Sequence, residues 1–385
     1  MKNIVIITYC TSSNSGTFLQ AYAVGRVYEE IFPDSRIRYI KALRIGGAKK
    51  EVKNNMSYFH LFVTKILSYL RNHYYLRISR KYFPPYSPMP LCFEYADSAL
   101  REIYNNNDVV SIGSDTILER FAYNGKIGLM WGVEASRAKK VIFAGSGDNC
   151  SLLYSEEDTE RIKRHILDFD FIGIRDNILF DFFVNRIGIE RSYLYRQPDP
   201  TYYLPLSMFY VGKMLHNRLS KVGKIAMFHF DRSFKYRPQL AVLIKSMGYK
   251  LVTPEYDPCC DISLGVISPF QWGDLFRYCD AVFTERFHDT VFSLRHCVPV
   301  VNVDWNKSKI SEFGDSKRTE ILKQYGLEKY HLSIYSEDDI SGDMVSNIRN
   351  LLETFDKHHV SMVNEELIKS IKQSINILRD NLVCS

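Results

Sequence analysis

The sequence lacks the features that define several large protein classes. Its eight cysteines include no C-x-x-C pair and no zinc-binding spacing, so neither a disulfide framework nor a zinc site is indicated. No apolar run approaches the roughly 18 residues of a spanning helix, and the opening MKNIVIIT is too short for a signal peptide. Neither a dinucleotide fingerprint nor a P-loop motif occurs. We therefore expect a cytoplasmic protein with reduced thiols, no metal and no cofactor.

Charge is also nearly balanced. The 50 basic and 44 acidic residues give a net charge of +6, which is too small for a protein dedicated to nucleic acids. The whole surplus comes from one stretch, Val52 to Phe93, which contains no Asp or Glu and leaves 44 basic and 44 acidic residues elsewhere. Its six basic residues are Lys53, Lys65, Arg71, Arg77, Arg80 and Lys81. The basicity is therefore local.

The same stretch contains apolar residues at helical spacing. These are Phe59, Phe62, Val63, Ile66, Leu67 and Leu70. A basic amphipathic helix over residues 58–82 is typical of contact with an anionic membrane, so the protein could work at the inner face of the cell membrane. The alternative is a helix that packs its apolar stripe on a sheet and leaves its charges in water.

Elsewhere, short apolar runs alternate with helix-like segments, which favours a doubly wound parallel sheet. The first-half strands are predicted at residues 3–8, 36–42, 108–112, 140–144 and 171–174. Prolines from Gln197 to Pro205 indicate a linker between about residues 200 and 222. The alternation then restarts, and the chain from Asp338 is predicted to be helical. We predict an α/β fold of two Rossmann-like domains, 1–205 and 206–385, facing across a cleft.

The most informative candidate residues follow a buried strand in the second half. Arg286 and His288 lie between the predicted strand 281–284 and a helix expected over 290–295. Backbone amides at a helix start bind anions, and a guanidinium and an imidazole there would hold a phosphate or a carboxylate. A lone histidine at a helix start is more often a cap or a packed ring, so spacing alone leaves both interpretations open.

The first half has residues in comparable places. Arg175 follows the strand 171–174 and is predicted either to point at the cleft or to pair with Asp176 or Asp181. Ser114 and Asp115 end another strand, where they would bind hydroxyls or cap a helix.

The loop before the first helix contributes Asn14, Gly16 and Thr17, which form either a helix cap or a phosphate cradle. Cys10 follows the first strand and could be a nucleophile, although a lone loop cysteine is usually inert.

Taken in order, several segments resemble the polysaccharide pyruvyl transferase family. They are NSGTFLQAYAV (14–24), VVSIGSD (109–115), FIGIRD (171–176), PDPTYYL (198–204) and FTERFHDTVFSLRHCVPVV (283–301). The resemblance implies two domains similar to the glycosyltransferase B arrangement. It also implies transfer of an enolpyruvyl unit from phosphoenolpyruvate to two hydroxyls of a sugar, which forms a ketal in surface-polysaccharide biosynthesis. By matching motif, Arg286 and His288 fall on donor-binding and catalytic positions, and Arg175 on the family's other arginine.

The residue chemistry fits such a donor, which carries about three negative charges and needs cations when it leaves water. His288 is the best-placed proton donor, Asp115 is a candidate proton acceptor, and Lys309 would add charge near the phosphate. The sequence departs from the family where Asp289 replaces a common Gly and Gly173 a common Ser. It departs again in SIGSDTIL (111–118), where Thr116 and Leu118 stand at positions at which the family often has Gln and Trp. The identity of the acceptor sugar, lipid-linked or free, therefore stays open.

Two other functions are compatible with these residues. A glycosyltransferase of the same two-domain shape would bind a nucleotide sugar. A non-catalytic protein that kept the fold would bind a sugar or an anion without turnover, and His288→Ala would leave it unaltered.

Overall fold

The computed structural model describes residues 1–11, 13–42, 58–86, 97–118, 121–123, 126–147, 156–306 and 316–383. The chain divides into two compact units. Unit 1 comprises Met1–Lys49, Leu76–Leu204 and Glu366–Ser385, and unit 2 comprises Lys50–Tyr75 and Pro205–Glu365. Each unit is built on a six-stranded sheet with helices.

The strands of unit 1 form a parallel sheet in the order β2-β1-β3-β6-β7-β8. The six strands are β1 (Asn3–Thr8), β2 (Arg36–Lys41), β3 (Val109–Thr116), β6 (Lys139–Ser146), β7 (Phe171–Ile174) and β8 (Leu194–Arg196). A separate antiparallel pair consists of β4 (Ala122–Tyr123) and β5 (Lys126–Ile127). The helices are α1 (Ser15–Ile31), α3 (Asp97–Asn106), α4 (Thr159–Leu167) and α5 (Asn177–Asp181). Continuous apolar runs form the central strands because helices cover both faces of such a sheet.

The strands of unit 2 form a second parallel sheet in the order β11-β10-β9-β12-β13-β14. They are β9 (Ile225–His229), β10 (Lys250–Thr253), β11 (Ile262–Ser263), β12 (Ala281–Thr284), β13 (Val300–Asp304) and β14 (His331–Ser333). The helices are α6 (Lys213–Leu219), α7 (Arg237–Ser246), α8 (Pro269–Leu275), α9 (Phe287–Arg295), α10 (Lys317–Gln324) and α11 (Gly342–Glu353). This order is the Rossmann order, with the first strand of the unit beside the fourth.

Two long helices contain residues of both units. They are α2 (Tyr58–Tyr82) and α12 (Lys357–Val383). The contiguous domains predicted at 1–205 and 206–385 differ from the observed units at these helices. Residues 58–75 of α2 group with unit 2, where His60 Nδ1 lies 2.6 Å from the Tyr256 hydroxyl. The end of α12 groups with unit 1, where Ser374 accepts a hydrogen bond from the Gln197 amide at 3.1 Å.

Each sheet has a point where the strand order reverses, and ligands of such folds bind outside the carboxyl ends of the strands there. In unit 1 this point lies between β1 and β3, and in unit 2 it lies between β9 and β12. In unit 2, His229 is opposite Thr284 in the register of those two strands. The residues that follow these strand ends are therefore the ones to inspect for function.

The predicted strands and the C-terminal helices are confirmed, with end shifts of a few residues. Helix α9 begins at Phe287, three residues before the predicted start, so His288 lies inside the helix. None of the helices in the described part of the chain has the length and hydropathy of a membrane span.

Candidate functional site

The start of α9 places two predicted residues at the switch point of unit 2. Arg286 is the N-cap residue, in extended conformation, and its backbone amide donates to the Thr284 hydroxyl at 2.9 Å. His288 is the second helical residue and is 8% exposed, with its ring edge-on to Phe287 at 5.2 Å between centroids. The Arg286 side chain makes no capping hydrogen bond to α9, so its guanidinium does not serve to hold the start of the helix.

A buried histidine–carboxylate pair lies beside this helix start. His229, the last residue of β9, has its Nδ1 2.7 Å from Asp289 Oδ2, and the Thr284 hydroxyl donates to the same oxygen at 2.7 Å. The other ring nitrogen, Nε2, lies 3.6 Å from Glu255 Oε1. His229 and Asp289 are both buried. Asp289, which replaces the Gly common in the family, is therefore bonded both to the last residue of β9 and to the last residue of β12.

Arg286 lines a cavity of about 270 Å³ whose described lining residues all belong to unit 2. Arg71 and Arg232 add two further guanidinium groups, while Asp231 and Glu255 supply two carboxylates. Arg71 Nη1 pairs with Glu255 Oε1 at 2.6 Å. The Nε atoms of Arg71 and Arg286 are buried and have no hydrogen-bond partner among the described residues. Such orphaned donors beside a cavity fit an anionic ligand.

The charges in this cluster shift one another's protonation. Burial lowers the pKa of the Arg286 guanidinium, but Glu255, Asp289, Glu285 and Asp231 outweigh burial and raise it above its usual value. Burial raises the pKa of Glu255, yet His229, Arg286 and Arg71 hold the pKa of that carboxyl far below its usual range. Burial and Arg286 lower the pKa of His229, and Asp289 and Glu255 reverse this, so that its pKa is raised. Opposite charges in the cluster therefore stabilise the ionised forms of His229, Glu255 and Arg286.

The switch point of unit 1 brings together residues from α1 and β3. Asn14 Oδ1 accepts from the amides of Gly16 at 2.9 Å and Thr17 at 3.3 Å, so Asn14 caps the helix, which is one of the two alternatives predicted. The Thr17 hydroxyl donates to Asp115 Oδ2 at 2.9 Å. The helix start and the strand end thus meet through a threonine and an aspartate.

The helix-cap alternative for Ser114 and Asp115 is wrong, because β3 continues through both residues to Thr116. Ser114 is 1% exposed, and its buried hydroxyl has no hydrogen-bond partner among the described residues. Asp115 has a φ of +90°, a conformation that non-glycine residues rarely adopt and that is concentrated at functional sites. Gly113, at φ +126°, is required because a Cβ there would overlap the carbonyl of Phe143.

Arg175 pairs with neither Asp176 nor Asp181, the two partners considered from the sequence. Its Nη1 lies 2.9 Å from Asp199 Oδ2, and both side chains are buried. Asp176 instead caps α5 by accepting from the Leu179 amide at 2.9 Å. The predicted partners were wrong because they were chosen by sequence distance. In the fold, the end of β7 pairs with β8, and the PDP turn after β8 (198–200) contains Asp199.

Three other residues are singled out in the sequence: Lys309, Cys10 and Gly173. Lys309 lies outside the described residues. Cys10 is buried, and burial raises the pKa of its thiol to about 12, so it is not a thiolate at neutral pH. Gly173, which replaces a common Ser, leaves room for the Gln197 amide oxygen, which a Cβ would overlap.

Sequence reasoning missed His229, Glu255, Arg71 and Arg232. His229 ends a strand of unit 2, so the rule that singled out Arg175 would also have selected it. The other three come from separate parts of the chain, and no local spacing links them.

A family model described as polysaccharide pyruvyl transferase matches residues 14–307 of the chain. A search among curated proteins found no significant match.

Solved structures that resemble the chain include several UDP-N-acetylglucosamine 2-epimerases. The Neisseria meningitidis UDP-GlcNAc 2-epimerase bound to UDP-GlcNAc is 9% identical, with a TM-score of 0.55 and 100% of both chains covered. The UDP co-structure of S. aureus MnaA is 10% identical, with a TM-score of 0.52 and 98% of both chains covered. A further UDP-N-acetylglucosamine 2-epimerase is 8% identical, with a TM-score of 0.57, 100% of this chain and 97% of that chain covered. These likenesses confirm the predicted glycosyltransferase-B-like fold of two Rossmann-like domains.

Proposed function

The chain belongs to the polysaccharide pyruvyl transferase family, and we propose that it moves an enolpyruvyl unit from phosphoenolpyruvate onto two hydroxyls of a sugar. The product would be a pyruvate ketal in a surface polysaccharide. Membership indicates an enzyme of polysaccharide biosynthesis. The donor and the ketal chemistry are the proposal.

The observation that carries the proposal is the cavity at the start of α9. Phosphoenolpyruvate has a phosphate and a carboxylate, and its roughly three negative charges need cationic partners once water is removed. Three guanidinium groups, of Arg71, Arg232 and Arg286, line the cavity against two carboxylates. The buried Nε donors of Arg71 and Arg286 would be satisfied by the oxygens of such a ligand. A neutral sugar alone would leave this positive excess uncompensated.

The proposed reaction balances without a further reactant. A proton added to the methylene carbon makes C2 an oxocarbenium-like centre, which the first sugar hydroxyl attacks as it loses its proton. Phosphate then leaves C2 with its bridging oxygen, and the second hydroxyl adds to the cation that forms. One of the two hydroxyl protons replaces the proton consumed at the methylene carbon, and the other leaves with the phosphate.

His288 is the residue we propose as the proton donor, since it is two positions from Arg286 and an imidazole can donate near neutral pH. Asp115 is proposed to accept the proton of the attacking hydroxyl. Arg175 is proposed to add positive charge for the donor while its Nη1 stays paired with Asp199.

The test is turnover of phosphoenolpyruvate with a panel of nitrophenyl and lipid-linked sugars, followed by phosphate release. We expect release that depends on the acceptor. His288→Ala should lower kcat by about 10²- to 10⁴-fold, the usual contribution of general acid catalysis. Arg286→Ala should chiefly raise KM, by about 10²- to 10⁴-fold, because it removes two charge-assisted hydrogen bonds of about 1.5–3 kcal/mol each.

Val242→Ala is a matched control, because this side chain is 69% exposed on α7 and takes no part in the cluster. Full activity of both His288→Ala and Arg286→Ala would refute the proposal. Transfer of a sugar from a nucleotide sugar, in place of turnover of phosphoenolpyruvate, would instead support a glycosyltransferase, the alternative enzyme compatible with the sequence.

A further inference from the structure

One face of α2 exposes large apolar side chains to solvent. Phe59, Phe62 and Tyr69 are 68%, 64% and 69% exposed. Three aliphatic residues on the same face, Ile66, Leu70 and Leu76, are also exposed. Phe59, Phe62, Ile66 and Tyr69 are three or four residues apart, Leu70 is four residues after Ile66, and Leu76 is two turns after Tyr69, so they form one stripe along the helix. We call this stripe, with the basic residues beside it, the α2 outer face. The expectation that the whole apolar stripe packs on a sheet is therefore wrong.

The α2 outer face is also positively charged. Lys65, Arg77, Arg80 and Lys81 are exposed among the apolar residues. None of these four side chains forms an ion pair with a residue in the described parts of the chain. No acidic residue occurs between Val52 and Phe93 in the sequence. A solvated helix of a globular protein normally carries both signs of charge on its outer face and few exposed aromatic rings.

The opposite face of the same helix is held by unit 2. Leu67 packs on Gly265, and Arg71 pairs with Glu255 in the wall of the cavity. The apolar residues of the outer face are thus not needed to attach α2 to the rest of the unit.

From these observations we propose that the α2 outer face docks on an anionic membrane surface. Aromatic and aliphatic side chains enter the boundary between headgroups and acyl chains, while lysines and arginines contact anionic headgroups. A second copy of the chain fits this face poorly, because a symmetric contact would place the cations of both copies together without a carboxylate. The docking does not depend on the proposed function.

One consequence does rest on the proposed function. An α-helix with its side chains is about 10 Å in diameter, so a helix lying on the lipid would keep the Arg71 side of α2 about that far from the headgroups. The cavity lined by Arg71 would then lie within reach of a sugar carried on a membrane lipid.

The test is flotation of the full chain with vesicles of phosphatidylcholine alone or mixed with phosphatidylglycerol. We expect binding only to the anionic vesicles, and binding that weakens as salt is added. Arg77→Gln combined with Arg80→Gln should weaken partition about 30-fold, from about a factor of five per basic residue. Phe59→Ser combined with Phe62→Ser should weaken it at least as much.

The matched control replaces exposed apolar residues elsewhere in unit 2, Met214→Ser with Val242→Ser, which are 88% and 69% exposed in the parent. This variant should bind vesicles as the parent does, and all variants should keep the parental melting temperature. The proposal would be overturned if the parent did not bind anionic vesicles, or if the control lost as much vesicle binding as the α2 variants. It would also be overturned if the parent sedimented as a dimer and the Phe59/Phe62 variant as a monomer. Loss of vesicle binding with turnover of free sugars retained would leave the proposed function standing.

Discussion

Asp289→Asn is the substitution that most sharply tests the charge cluster in unit 2. Asp289 is 2% exposed and accepts hydrogen bonds at 2.7 Å from both His229 and Thr284. Asparagine has nearly the same shape and keeps one acceptor oxygen, so the variant removes a charge with little change in packing. The His229 imidazolium then lies beside Arg286 with one fewer carboxylate.

The expected loss of unfolding free energy follows from the two hydrogen bonds that Asp289 accepts. A hydrogen bond to a charged group contributes about 1.5–3 kcal/mol, roughly twice a neutral one, so replacing two charged bonds by neutral ones should cost about 1–3 kcal/mol of unfolding free energy. The cost should also depend on pH. Because the folded-state pKa of His229 is raised, its stabilisation is fully present below the unfolded value of about 6.5 and is lost as pH rises through the folded pKa.

Urea unfolding of the parent and the variant at a series of pH values would measure this. Trp272 and Trp305 lie in unit 2 and report on it by fluorescence. The difference between parent and Asp289→Asn should be largest at about pH 6 and should shrink as pH rises through the folded pKa of His229. Asp280→Asn, at the exposed residue just before β12, is the control and should show no such trend. A difference that is absent, or that grows with pH, would refute the reasoning.

Two further predictions concern unit 1. Asp199→Ala leaves Arg175 buried without its carboxylate, so unfolding free energy in urea should fall by about 3–5 kcal/mol, and an unchanged value would mean that the pair is not buried as described. Gly113→Ala introduces a Cβ against the Phe143 carbonyl at a φ of +126°, so it should lower the melting temperature and cost more than about 1 kcal/mol, whereas Gly223→Ala, with open space around its Cβ, should not.

Much of the fold could be predicted because strands buried on both faces are continuous apolar runs. β1, β7 and β12 were placed to the residue for this reason. β11 and β14 could not be predicted, since strands of two or three residues are too short to show a pattern. The division of α2 and α12 between the two units could not be predicted either. It depends on packing between residues far apart in sequence, which the local spacing of apolar residues does not reveal.

The candidate site was only partly predictable for a related reason. Arg286 and His288 follow a strand and open a helix, so their position could be derived from one local segment. Glu255 and Arg71 meet across 184 positions of sequence, and only the folded chain brings them together. Asp289 was noticed as a departure from the family, but its role became visible only once His229 was placed beside it.

The most direct measurement is carbon NMR of the product formed from sugar and phosphoenolpyruvate labelled at C2. The account predicts a quaternary ketal carbon that bears a methyl group and is bonded to two oxygens of the sugar, with one phosphate released per product. Label recovered only in unchanged donor or in free pyruvate, with the sugar unmodified, would contradict it.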